Sequence, residues 1–362
     1  WAGVLAAGLV VIFPGEFLGR SLLGFTDYHV AETLFTATAM MFVILAVKEG
    51  AGSGDIFDHL RNKRWGVLTK PLVYSLLAGI FLGIYFLTWQ GALLFVLILF
   101  AFLVIQFIID HSKGRPTGYL CVVSAVAFLV ALLLSLLSSP GVMALASLVI
   151  AILVPIALAV LSRFMHVRDV KPLFYPVAVL GLGLVGLLVV RLVSPSIFQS
   201  MVGSLGIFRW PMGTTVHEMQ PILYPGGNFS WLIVWLNFNT SFFLSFICMG
   251  ILIYQIVKRG EAGKTLLFVW SFVMLLAMLS MRRFAYYYVV NAALLTGYLA
   301  WLVLEFAGFK KASAVPVAEV PRKAKKKAQR ERQRKLGRSP AVMVVAAVVV
   351  LLVVFYPNIG PL

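Results

Sequence analysis

The chain has 362 residues, 61% of them hydrophobic and 12% charged, and its mean hydropathy is +0.99. A water-soluble domain of this length exposes too much surface to hide that apolar content, so the composition excludes a soluble globular protein. The net charge of +17 would suggest nucleic acid in a soluble protein, but the basic residues lie between apolar runs and the densest of them, PRKAKKKAQRERQRKLGR, has no interleaved aromatics, so no nucleic-acid partner is expected.

Eleven apolar segments follow one another, at about residues 1–13, 30–48, 71–88, 91–110, 118–137, 141–162, 172–192, 231–256, 265–281, 284–305 and 340–356. Most approach the ~20 residues that cross a hydrocarbon core as a helix. Their ends carry Pro, Gly or charge, which favours helices over barrel strands. The expected fold is therefore an all-α, polytopic transmembrane helix bundle. Cys121 and Cys248 lie inside apolar runs and read as buried packing residues.

The basic residues orient this bundle. Connectors 49–70, 111–117, 163–171, 257–264 and 306–339, with the flanking Lys48 and Lys70, hold 25 of the 30 Lys and Arg. The alternate connectors hold Arg20, Arg191, Arg209, Arg282 and Arg283. So uneven a split under strict alternation puts the first set in the cytoplasm. The polybasic stretch 306–339 then reads as a cytoplasmic loop against anionic membrane lipids.

Two outer connectors are long. Residues 14–29 carry Arg20, Asp27 and His29, with Glu32 one turn further on. Residues 193–230 are rich in apolar and aromatic side chains, and their only imidazole and carboxylate are His217 and Glu218. Loops of this length are functional or disordered, and aromatic content argues against disorder. Asp27 and His29, two apart, can both turn toward a divalent cation, or Asp27 can cap the helix that follows. Glu218 stands among Val216, Met219 and Trp210, an unlikely setting for a charge that lacks a partner. Arg282 and Arg283 stand at the outer end of a helix, where they either snorkel or recognise phosphate through their forked donors.

In order and on one face, these islands resemble the oligosaccharyltransferase catalytic subunit family, the asparagine-linked glycosylating enzymes. Arg20, Gly24, Asp27 and His29 fit its second acidic motif, with the histidine resembling archaeal members. Thr215-Val216-His217-Glu218 is similar to the T-[I/V]-x-E of its long outer loop. Arg283-Phe284-Ala285-Tyr286-Tyr287 is similar to its R-F-x-Y-Y run, and Trp89-Gln90-Gly91 to its W-G-G corner. The family has thirteen membrane helices in a GT-C type glycosyltransferase membrane domain, and the eleven segments correspond to the third through the thirteenth. The first outer loop and the C-terminal globular domain of that family fall outside residues 1–362, so a fragment is expected, inactive by itself.

The resemblance implies transfer of an oligosaccharide from a polyprenyl phosphate or pyrophosphate carrier to the Asn of an N-x-S/T acceptor polypeptide. It implies Mn2+ or Mg2+ held by Asp27, His29 and Glu218. Asp27, Glu218 and Arg20 would be catalytic, with Arg20 orienting the acidic groups. Arg283, Arg282, Trp89, Tyr286 and His217 would bind substrate, the arginines on the carrier phosphates. The site would face outward from the cell membrane. Two rivals are a different polyprenyl-phosphate-sugar glycosyltransferase, O-mannosyl or lipid-modifying, and a transporter. Against transport, the ionisable groups cluster at helix ends rather than at mid-membrane depth.

Overall fold

A computed structural model describes residues 1–22, 24, 28–89, 91–208, 215–309 and 340–359. Among them the long elements are helices: α1 (Ala2–Ile12), α2 (Glu16–Ser21), α3 (His29–Gly52), α4 (Ile56–Arg61), α5 (Trp65–Thr88), α6 (Ala92–Ser112), α7 (Gly118–Ser135) and α8 (Val142–Val167). After them come α9 (Phe174–Val193), α10 (Pro195–Ser204), α11 (Leu232–Phe238), α12 (Thr240–Arg259), α13 (Ala262–Ser280), α14 (Ala285–Ala307) and α15 (Pro340–Ile359). Among the described residues ten are long and apolar enough to cross a membrane, and α1 is a shorter apolar helix. Each of the eleven apolar segments thus carries a helix. This is a multi-pass membrane protein.

The chain divides into two compact units, one from residues 26–221 and 252–282, the other from 1–25, 222–251 and 283–362. In the first, α5 lies against α3 and α7. Gly79 and Gly83, four apart, let the backbones of α5 and α7 approach closely. A Cβ at Gly79 would fall 2.5 Å from the Ala127 carbonyl oxygen and 2.7 Å from Val130 Cβ, and one at Gly83 2.7 Å from Leu134. Small residues at that spacing suit a solvent that gives apolar helices no other reason to associate. Tyr85, Phe95, Phe102, Phe107 and Phe128 fill the core beside them.

In the second unit α14 packs on α1, where Gly297 leaves room for the backbone of Ala6. Phe13, Phe238 and Tyr288 form an edge-to-face series, with centroids 6.3 Å and 5.5 Å apart. The Tyr288 hydroxyl lies 2.8 Å from Ser245 Oγ, so its polar end is satisfied within the core.

The expected helix over 231–256 is broken. α11 ends at Phe238, and α12 starts afresh after Asn239, whose φ is +46. Three asparagines explain the break. Asn237 Oδ1 accepts the Glu16 N–H at 2.8 Å, and its Nδ2 donates to the Ile233 carbonyl. Asn239 Nδ2 donates to Asn358 Oδ1, and Asn358 Nδ2 to the Val354 carbonyl. Near them the Thr240 hydroxyl donates to the Val353 carbonyl at 2.6 Å, within a π-helical turn of α15 at Leu351–Phe355. Side-chain amides at the break thus find partners on α2, on α11 and on α15, so no polar end is left bare in the core. α5 likewise starts at Trp65, ahead of its expected start near residue 71, and carries Pro71 inside.

Gly79→Ala should destabilise the protein by about 1–3 kcal/mol, the usual cost of overpacking. Gly181→Ala on α9, where an added Cβ meets nothing within 4 Å, should not. Thermal unfolding midpoints in detergent compare the two, and equal midpoints would contradict the close α5–α7 contact.

Candidate functional site

His29 opens α3, and its ring stacks on Tyr28 with centroids 4.9 Å apart and planes within 9°. It is buried, and Glu32, one turn later, is 0% exposed. A carboxylate in the first turn sits where the helix dipole favours negative charge. Thr33 and Thr36 donate their hydroxyls to the His29 and Glu32 carbonyls, at 2.9 Å and 2.8 Å, so α3 binds its own polar side chains back to its backbone. Asp27 lies outside the described residues, as do Thr214 and Gln90.

The long outer loop is more helical than its sequence suggests, with α10, a short turn Leu205–Phe208, and a tight turn at His217–Met219. His217 and Glu218 are exposed on that last turn, and Thr215 is exposed just before it. Immediately after it, the Gln220 carbonyl accepts the Arg282 N–H at 2.9 Å. The T-V-H-E turn is thereby tied by its backbone to the start of the R-R-F run, which itself forms a single turn at Arg282–Phe284. Among the described residues no three His, Cys, Asp or Glu side chains form a metal-holding group.

In the unit that contains α2, Arg20 Nε lies 3.2 Å from Glu16 Oε2, one turn back. Its guanidinium also sits 5.3 Å from the centroid of Tyr286, whose ring is 2% exposed and stacked on Tyr287. Arg20 thus carries both an ion pair and a cation–π contact, which fixes its head group. Arg283 lies over the Phe284 ring at 5.8 Å. Glu16 escaped notice in the sequence. Its spacing of four before Arg20 was the available signal.

Trp89 ends α5, and its indole covers Gly91 so closely that a Cβ there would overlap the ring. This gives the W-x-G corner a steric reason for its glycine.

A family model described as oligosaccharyl transferase STT3, N-terminal, matches residues 1–356. The chain belongs to the oligosaccharyl transferase STT3 family. Among its relatives is a protein of Haloferax volcanii named dolichyl-monophosphooligosaccharide–protein glycotransferase AglB, 30% identical over 235 residues, covering 61% of this chain and 22% of that protein. Another is dolichyl-phosphooligosaccharide-protein glycotransferase 3 of Archaeoglobus fulgidus, 26% identical over 309 residues, covering 81% of this chain and 35% of the relative. The chain therefore spans well under half the length of these STT3-family relatives.

In three dimensions it is similar to the archaeal oligosaccharyltransferase AglB from Archaeoglobus fulgidus, solved with an inhibitory peptide and a dolichol-phosphate. The TM-score is 0.82 at 22% identity, over 99% of this chain and 41% of that one. A further Archaeoglobus fulgidus oligosaccharyltransferase structure, solved with Zn and sulfate, gives a TM-score of 0.66 at 20% identity, over 99% of this chain and 37% of that one. These likenesses show a shared fold.

A double variant, Gln220→Cys with Arg282→Cys, should be joined by oxidation or by a short thiol crosslinker, because a backbone hydrogen bond holds the two positions together. The native Cys121 and Cys248 are buried and should stay silent. Absence of the bridge, read as fragment mobility after proteolysis between the two sites, would refute the juxtaposition.

Proposed function

We propose that the chain is the membrane part of an enzyme that moves an oligosaccharide from a polyprenyl phosphate carrier onto the Asn of an N-x-S/T acceptor polypeptide, on the extracytoplasmic face of the cell membrane. The observation that carries the proposal is family membership over residues 1–356 together with the matching motif residues in all three islands. It is supported by the relatives' names, which specify dolichyl-phosphate-linked donors, and by the peptide and dolichol-phosphate in the Archaeoglobus structure.

Asp27, His29 and Glu218 would hold the divalent ion, Mn2+ or Mg2+. Two carboxylates and an imidazole suit such a cation, and stacking on Tyr28 fixes the orientation of the His29 ring. When bound, the cation neutralises charge on the departing phosphate. The chain's own groups do the rest. An amide nitrogen is a poor nucleophile because its lone pair is delocalised, so its position must be imposed. Glu218 would accept a hydrogen bond from the acceptor N–H and aim the nitrogen at the anomeric carbon. Arg283 and Arg282 would hold carrier phosphate oxygens through paired N–H donors. Arg20, locked by Glu16 and Tyr286, would orient the acidic groups, with Trp89 and His217 lining the substrates. The long loop would close over the acceptor and exclude water with its apolar side chains.

The experiment is glycosylation of a sequon peptide by the full-length protein, with lipid-linked oligosaccharide as donor and Mn2+ added. Glu218→Gln and Asp27→Ala should each lower turnover by about a hundredfold or more, as removal of a group acting at the reacting centre does. Arg283→Ala should chiefly raise the KM for the lipid donor. Wild-type rates in the two acidic variants would overturn the assignment.

A further inference from the structure

At the end of the bundle that carries the basic connectors, the turn between α6 and α7 and one face of α8 border a half-open cavity of about 380 Å³. Arg115 and Thr117 line it from the turn; Ser162, Arg163 and His166, spaced as one helical face, line it from α8; His111 lines it from the last turn of α6. Asp55 is the single carboxylate among the lining residues.

The floor is built rather than incidental. His111 is buried, its Nδ1 lies 2.9 Å from Ser162 Oγ, and its ring stacks on Tyr175 with centroids 4.0 Å apart. Thr117 donates its hydroxyl to Ser162 Oγ at 3.1 Å, and the Tyr175 hydroxyl donates to the Leu158 carbonyl at 2.9 Å. Polar groups are thus held in place beneath a basic opening.

Basic groups near helix ends often only cap carbonyls. Two of the neighbours do so. Lys113 Nζ donates to the Val257 carbonyl, and Arg115 donates to the Arg259 and Gly260 carbonyls, closing the C-terminus of α12. Arg163 and His166 differ: among the described residues neither side chain has a hydrogen-bond or ion-pair partner, and both stand exposed at the mouth of the cavity, with their donors available to a ligand.

We propose that this cavity binds a phosphate group, presented by an anionic membrane lipid or by free phosphate. A fork of guanidinium donors, an imidazole and hydroxyls match the oxygens of a phosphate, and a cavity at helix ends suits a head group. The site is separate from the residues assigned to glycan transfer, and its test does not require activity.

The full chain is purified in detergent. Binding is measured with dioctanoyl phosphatidylglycerol, with inorganic phosphate, and with dioctanoyl phosphatidylcholine as the zwitterionic comparison. Arg163→Gln with His166→Gln should weaken binding of phosphatidylglycerol or phosphate about tenfold, while Lys171→Gln, a basic residue outside the cavity, should leave it within about twofold. Whichever anionic probe binds more tightly identifies the source. Unchanged binding in the double variant, equal loss in Lys171→Gln, or no preference of the wild type for either anionic probe over phosphatidylcholine would overturn the proposal.

Discussion

A hydrocarbon solvent offers no hydrogen bonds, so every polar group within it must find its partner in the chain. Much of this structure follows from that constraint. Hydroxyls on α3, α5 and α7 turn back to carbonyls in their own helices, as Thr36, Ser75 and Ser124 do. The carbonyls at the end of α12 are met by Lys113 and Arg115, and the amide of Asn239 at the helix break pairs with that of Asn358. Ionisable groups are pressed toward helix ends, where water, other charges or a ligand can share the cost of desolvation. The burial of His29 and Glu32 in the first turn of the apolar α3 is the form this takes at the candidate site.

The spans were legible because hydropathy and the alternation of basic residues are independent signals that had to agree. One missed helix would have reversed the sidedness of every later connector. Local breaks were not legible. Nothing in Asn237-Phe238-Asn239 taken by itself distinguishes a kink from a polar residue facing a neighbour; the kink depends on Gly15, Glu16 and Asn358, distant in sequence. The early start of α5 was hidden because Pro71 normally marks a first turn, yet a helix can give up one ladder bond and continue.

At the candidate site, residue types and motif spacing were readable, but the contacts between motifs were not. Among the contacts that hold Arg20 are Glu16 and Tyr286, one local and one from a run more than 260 positions away, and only the first has a spacing that the sequence displays. The hydrogen bond between Gln220 and Arg282 runs through backbone atoms, so no side-chain pattern could announce it. Side-chain identity carries chemistry, whereas backbone pairing carries placement, and only the first is written in the residue letters.

α9 shows a different consequence. Its buried residues are Tyr175 and Val179, both near its start, and beyond them its surface is largely uncovered by the described residues. Tyr175 is gripped by His111 and Leu158, while the opposite end leads directly into the long outer loop. A span covered only at its base turns the rest of its Leu- and Val-rich shaft to hydrocarbon, so its hold on the protein rests on that one anchored tyrosine end.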